Sequence, residues 1–137
     1  MKFGDQVYRW MTPAPFTVTR DTGLAAAHET MRRHEIRHLP ILDEGDLVGV
    51  VDERDLAIAE RFPEAQRMAV GEIMSPEPYA VHPSTPLAEV AGEMAKRRHG
   101  VAIVVAKGHV VGVFTAVDGL RALAEDQNRR LLDEPQA

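Results

Sequence analysis

Met11-Thr-Pro-Ala-Pro-Phe-Thr-Val18 returns 63 residues later as Met74-Ser-Pro-Glu-Pro-Tyr-Ala-Val81, and the register then holds without a gap. Thr22, Leu24, Ala25 and Met31 fall on Thr85, Leu87, Ala88 and Met94. Further on, Gly45 falls on Gly108, Val48-Gly-Val50 on Val111-Gly-Val113, and Asp55 on Asp118. The matches sit at punctuating residues, which marks an internal duplication, and a fixed period takes precedence over local propensity.

Each copy reads the same way. Phe16 to Thr19 and Tyr79 to His82 have the aromatic and β-branched character of short strands. Leu24, Ala27, Met31 and Leu87, Val90, Met94 then recur at helical spacing, with Thr22 and Thr85-Pro86 as expected N-terminal signals. Arg32 and Arg33, and Lys96 to Arg98, crowd the last turns, where cations suit the helix dipole. Two short apolar runs follow in each copy, around Gly45 and Gly108, and predict β-hairpins. Helical character resumes over 52–61 and 115–125. The expected fold is therefore α+β, two β-α-β-β-α repeats packed with pseudo-two-fold symmetry. The expected boundaries are 1–62 for the first repeat with an N-terminal helix, 63–126 for a linker (62–73) and the second repeat, and 127–137 for a C-terminal tail.

Composition limits the function. Of 137 residues, 45% are apolar and 27% charged, which suits a folded domain. The chain has no Cys, excluding disulfides, thiol catalysis and Cys-based metal sites. The longest apolar run, Val101 to Ala106, is far short of the roughly 20 residues of a membrane helix. Asp5 and Arg9 interrupt any secretory signal, so the expected location is cytoplasmic. A net charge of -5 argues against diffuse nucleic-acid binding.

The segment Gly112-Val-Phe-Thr115-Ala-Val-Asp118 ends a strand and begins a helix. Unpartnered N–H groups at such a start favour an anion, and the Thr115 hydroxyl adds a donor. Asp118, about one turn on, has two oxygens to accept a ribose diol. The same two residue types also suit an ordinary helix cap. With the Met-Thr/Ser-Pro starts, Leu39-Pro-Ile-Leu-Asp43 and Gly49-Val-Val-Asp-Glu-Arg-Asp55, this segment makes nearly the whole chain resemble the CBS domain family in its tandem, Bateman-module form.

That resemblance implies a noncatalytic, regulatory signal-transduction module that binds AMP, ADP, ATP or S-adenosylmethionine in a cleft between the repeats. It carries no cofactor beyond this regulatory ligand. It also implies a homodimer, acting on an effector protein that the sequence does not identify. Thr115 is implied as the phosphate contact and Asp118 as the ribose carboxylate. Pro15, Phe16, Ile36 and Arg37 are implied as adenine neighbours, with Val113, Gly100 and Val101 completing the site. The alternative is a scaffold or dimerisation module with no physiological nucleotide. The first motif departs from the pattern: Asp52 stands where Thr115 does, and a carboxylate repels phosphate, so the site of Asp52 and Asp55 is expected to be weaker.

His34-Glu35-Ile36-Arg37-His38 is a literal H-E-x-x-H, which in mid-helix would present two zinc ligands and a general base. Pro40 disfavours helix at Leu39, so the helix is expected to stop too early, and no metal site is expected. Neither an acid–base pair nor an activated nucleophile is evident, so no enzymatic activity is expected. Val7, Trp10 and Met11, with Met68, Val70, Ile73 and Met74, are expected in the core or at a dimer contact.

Overall fold

The computed structural model describes residues 5–13 and 15–133. A 3-10 helix at Val7–Arg9 leads into β1 (Thr12–Pro13), β2 (Val18–Thr19), α1 (Leu24–His34), β3 (His38–Asp43), β4 (Asp46–Asp52) and α2 (Glu53–Ala59). Two more 3-10 helices, Pro63–Arg67 and Val70–Glu72, precede β5 (Ser75–Pro76), β6 (Ala80–Val81), α3 (Leu87–Arg97), β7 (Val101–Ala106), β8 (His109–Thr115) and α4 (Ala116–Asp133). The expected β-α-β-β-α order is present twice, and the described strands form two four-stranded sheets, β2-β3-β4-β5 and β1-β8-β7-β6. No described helix is long and apolar enough to cross a membrane.

The sheets exchange their lead-in strands. β1 precedes the first repeat in the chain but pairs antiparallel with β8, Thr12 opposite Val113 and Pro13 opposite Gly112. β5, from the connecting segment, pairs with β4 in the same way, Gly49 opposite Pro76 and Val50 opposite Ser75. Residues 5–13, 79–106 and 111–133 accordingly form one compact unit, and 15–78 with 107–110 the other. Val7 is fully buried among Val90, Met94, Ala102 and Phe114, and its counterpart Val70 among Leu24, Met31, Ile41 and Leu56. The segment read as a linker therefore completes a core, and the lead-in helix is 3-10 rather than α.

The helix starts differ from expectation. Gly23 and Pro86 occupy the cap positions of α1 and α3, with extended backbones and no side-chain cap bond. Gly23 bridges Ala69 and Pro86 bridges Gln6, which holds each chain straight for one more residue. The Thr22 hydroxyl instead accepts the Thr19 N–H at 3.2 Å, and the Thr85 carbonyl accepts the Val7 N–H at 2.9 Å. α1 and α3 end on Glu35 (φ 54°) and Arg98 (φ 58°), so non-glycine left-handed residues make the stop, not Gly100. The next N–H folds back in both, Ile36 to the Met31 carbonyl and His99 to that of Met94. The hairpins turn at Glu44-Gly45 and Lys107-Gly108, both residues at positive φ as in type I′ turns.

Candidate functional site

In the unit of 5–13, 79–106 and 111–133, β8 delivers Thr115 to the start of α4. The Asp118 N–H donates to the Thr115 hydroxyl at 3.3 Å, while the Thr115 N–H donates to Asp118 Oδ2 at 2.8 Å, a reciprocal cap. The Thr115 hydroxyl also lies 3.1 Å from the same oxygen. Asp118 is only 5% exposed, and its second oxygen, Oδ1, accepts from Arg121 Nη2 at 2.7 Å. The Ala116 N–H reaches the Gly100 carbonyl at 3.1 Å, which brings Gly100, at the entry to β7, against this helix start. Val101 opens β7 and is buried, and Val113 lies on β8 two residues before Thr115. Thr115 and Asp118 are thus directly linked, and Gly100 is tied to Ala116 between them. Asp118 Oδ2 accepts from both the Thr115 N–H and its hydroxyl, while Oδ1 accepts from Arg121 alone and keeps a second acceptor position.

The first motif is built alike on the other unit, with different electrostatics. The Asp55 N–H donates to Asp52 Oδ1 at 2.7 Å, so Asp52 caps α2, and the Glu53 N–H reaches the Arg37 carbonyl at 2.9 Å. Burial raises the Asp55 carboxyl above its ordinary range, and the neighbouring Asp52 charge adds to the shift. Three residues beyond Asp55 stands Ile58, so this carboxylate has no counterpart of the Arg121 bond. His38 lies opposite Asp52 in the β3–β4 pairing; burial lowers its basicity, Asp52 partly offsets that, and Arg37 adds to it. Arg37 itself is exposed and 3.9 Å from Glu53, and Ile36 is half-buried against the core.

Phe16 follows half-buried Pro15 and is 45% exposed, its ring stacked on the His34 imidazole at 3.6 Å between centroids and 13° between planes. The second repeat repeats the device, with the Arg97 guanidinium 5.3 Å from the Tyr79 ring centroid. His34 is the last residue of α1, Glu35 is left-handed and His38 begins β3, so the H-E-x-x-H residues share no helical face. Among the described residues no three His, Cys, Asp or Glu are grouped to hold a metal. The sequence alone did not place Arg121 on Asp118, nor His34, named there only within H-E-x-x-H, against Phe16. The spacing of three from Asp118 was a visible signal for Arg121, since such positions meet on a helix face; nothing in the sequence paired His34 with Phe16.

The CBS domain family matches residues 6–61 and 70–125. A CBS domain-containing protein of Dictyostelium discoideum is 28% identical over 130 residues, covering 85% of this chain and 90% of its own. A CBS domain pair crystallised with 5′-methylthioadenosine and S-adenosyl-L-methionine superposes with a TM-score of 0.81 at 28% identity, over 89% of this chain and 98% of that one. An Arabidopsis thaliana CBS-pair protein in complex with AMP gives 0.78 at 28%, over 90% and 99%. Two family matches, one on each copy of the duplication, establish that the chain belongs to the CBS domain family as a tandem pair.

Proposed function

We propose that this chain is a noncatalytic sensor of an adenosine-containing ligand, which acts by changing how it packs on a partner in the cytoplasm. The observation that carries this reading is the Thr115–Asp118 pair: a buried carboxylate beside a hydroxyl at the start of an 18-residue helix, in a family whose relatives bind AMP and S-adenosylmethionine. The helix start favours phosphate and the carboxylate favours a ribose diol. Pro15, Phe16, Ile36 and Arg37, with Gly100, Val101 and Val113, are proposed as neighbours of the purine. Asp52 and Asp55 disfavour phosphate, so one nucleotide per chain is the proposed stoichiometry. Thr115 and one helix end offer few cations, which favours AMP or ADP over ATP.

A second reading, a scaffold with no physiological ligand, is favoured by the fact that Thr115 and Asp118 already satisfy each other. Thermal unfolding with AMP, ADP, ATP, GTP and S-adenosylmethionine separates the two. A ligand at 100 times its dissociation constant stabilises by about 2.7 kcal/mol. A shift confined to adenine ligands and absent in Asp118→Ala supports the sensor; no shift with any of them supports the scaffold. A homodimer is proposed on the exposed apolar face of α4, where Val117 and Leu120 are 68% and 66% exposed. Leu120→Glu then yields a monomer in sedimentation, whereas an unchanged mass rejects that face.

A further inference from the structure

Asp118 is the carboxylate on which the proposed sensor depends, and it is held by a cation of its own helix. Arg121 Nη2 lies 2.7 Å from Asp118 Oδ1, with the Asp118 side chain 6% and the Arg121 side chain 53% exposed. The guanidinium therefore covers the carboxylate from the solvent side while remaining free to leave it. It also has somewhere to go. Arg121 lines an open notch with Arg9, Trp10, Met11, Glu125 and Arg129, and Glu125 makes no ion pair among the described residues. Glu125 is one turn beyond Arg121, the spacing at which opposite charges pair on a helix.

We propose that Arg121 is a latch on Asp118: it occupies Oδ1 in the unliganded protein and moves to Glu125 when a ribose diol takes that oxygen. The inference rests on the adenosine-sensor reading and adds the residue that controls access to its carboxylate. Arg121 acts as a positioning residue. The latch lowers apparent affinity by the fraction of molecules in which it is closed. The first motif has Ile58 at the equivalent position, so the device belongs to the second motif only.

Adenosine is the probe, because it offers the diol without a phosphate whose charge would attract the guanidinium. Arg121→Met keeps the apolar stem and removes the charge. It is expected to bind adenosine about two- to fivefold more tightly than the native chain, the factor carried by an ion pair whose cation is half-exposed to solvent. Trp10, the single tryptophan, lines the notch into which the guanidinium moves, so its emission reports the motion directly. Native protein is expected to change Trp10 emission on adenosine binding, and Arg121→Met is not. Equal or weaker adenosine binding by Arg121→Met, or the same Trp10 response in both, overturns the latch while AMP binding by the native chain leaves the sensor intact. Native protein that binds neither adenosine nor AMP overturns the sensor and the latch together. Arg121→Gln, which keeps an amide donor group without the charge, is expected to fall between and serves if the Met variant does not fold.

Discussion

Thr115 and Thr22 are alike in sequence, each next to the start of a helix, and differ in what they hold. Thr115 accepts the Asp118 N–H, whereas Thr22 closes a turn outside α1. Thr115→Ala is therefore expected to cost about 1 kcal/mol, and Thr22→Ala much less, in parallel denaturant titrations. Acidity acts in two directions at the first motif. His38, whose basicity burial lowers, is protonated more readily in the unfolded chain, so its contribution is present above its ordinary value of 6.5 and is lost as pH falls through its lowered folded value. Asp55 has the opposite sign: its raised folded pKa means a contribution fully present below 3.8 and lost as pH rises through the folded value. Asp55→Asn is expected to raise the midpoint of thermal unfolding at pH 7, with the gain fading as pH approaches 3.8. A gain that grows on acidification contradicts this account.

At the scale of elements, the Met-x-Pro starts and the Val-Gly-Val strands explain each other. A Cβ at Gly112 would overlap Met11 Sδ and lie 3.0 Å from the Thr12 carbonyl; at Gly49 it would overlap Met74 and lie 3.0 Å from that of Ser75. Each methionine lies over a strand residue that must lack a side chain so that the lead-in strand can pair. Gly112→Ala and Gly49→Ala are each expected to destabilise by about 1–3 kcal/mol through overpacking. Met11→Ala should relieve part of the first and none of the second, as a double-mutant cycle by chemical denaturation would show. These Met–Gly pairs were present in the duplicated sequence as matching residues, but a repeat at a fixed offset says which residues are equivalent and not which touch. The strands, hairpins and buried faces of α1 and α3 were legible because periodicity and turn chemistry are local. The caps were not: a long-range bridge to Ala69 or Gln6 decides whether Thr22 or Gly23 begins the helix. At the candidate site the motif residues were legible as types. Their mutual saturation and the Arg121 bond depend on rotamers that sequence does not specify.

For the molecule as a whole, residues adjacent in sequence are divided between two cores. Residues 5–13 lie beside the first repeat in the chain yet contribute to the core that holds α3, β7, β8 and α4. Their ties are specific: Val7 is fully buried, its N–H reaches the Thr85 carbonyl at 2.9 Å, and the Asp5 carbonyl accepts the Leu87 N–H at 2.9 Å. The equivalent ties of the other core, from the Val70 N–H to the Thr22 carbonyl and from the Gly71 N–H to the Arg20 carbonyl, lie within residues 15–78. A chain beginning at residue 15 therefore removes a structural part from the second repeat and nothing from the first. Loss of Val7 alone forfeits about 1.5–3 kcal/mol of burial, and unpaired β8 becomes an exposed edge. Hydrogen exchange should then show loss of protection at Leu87 and along β8, while Val70 and Gly71 stay protected. A peptide of residues 1–14 added in trans should restore the lost protection. Loss at Val70 and Gly71 to the same extent would mean that the two cores unfold as one cooperative body, and that the exchange of lead-in strands does not divide their stability.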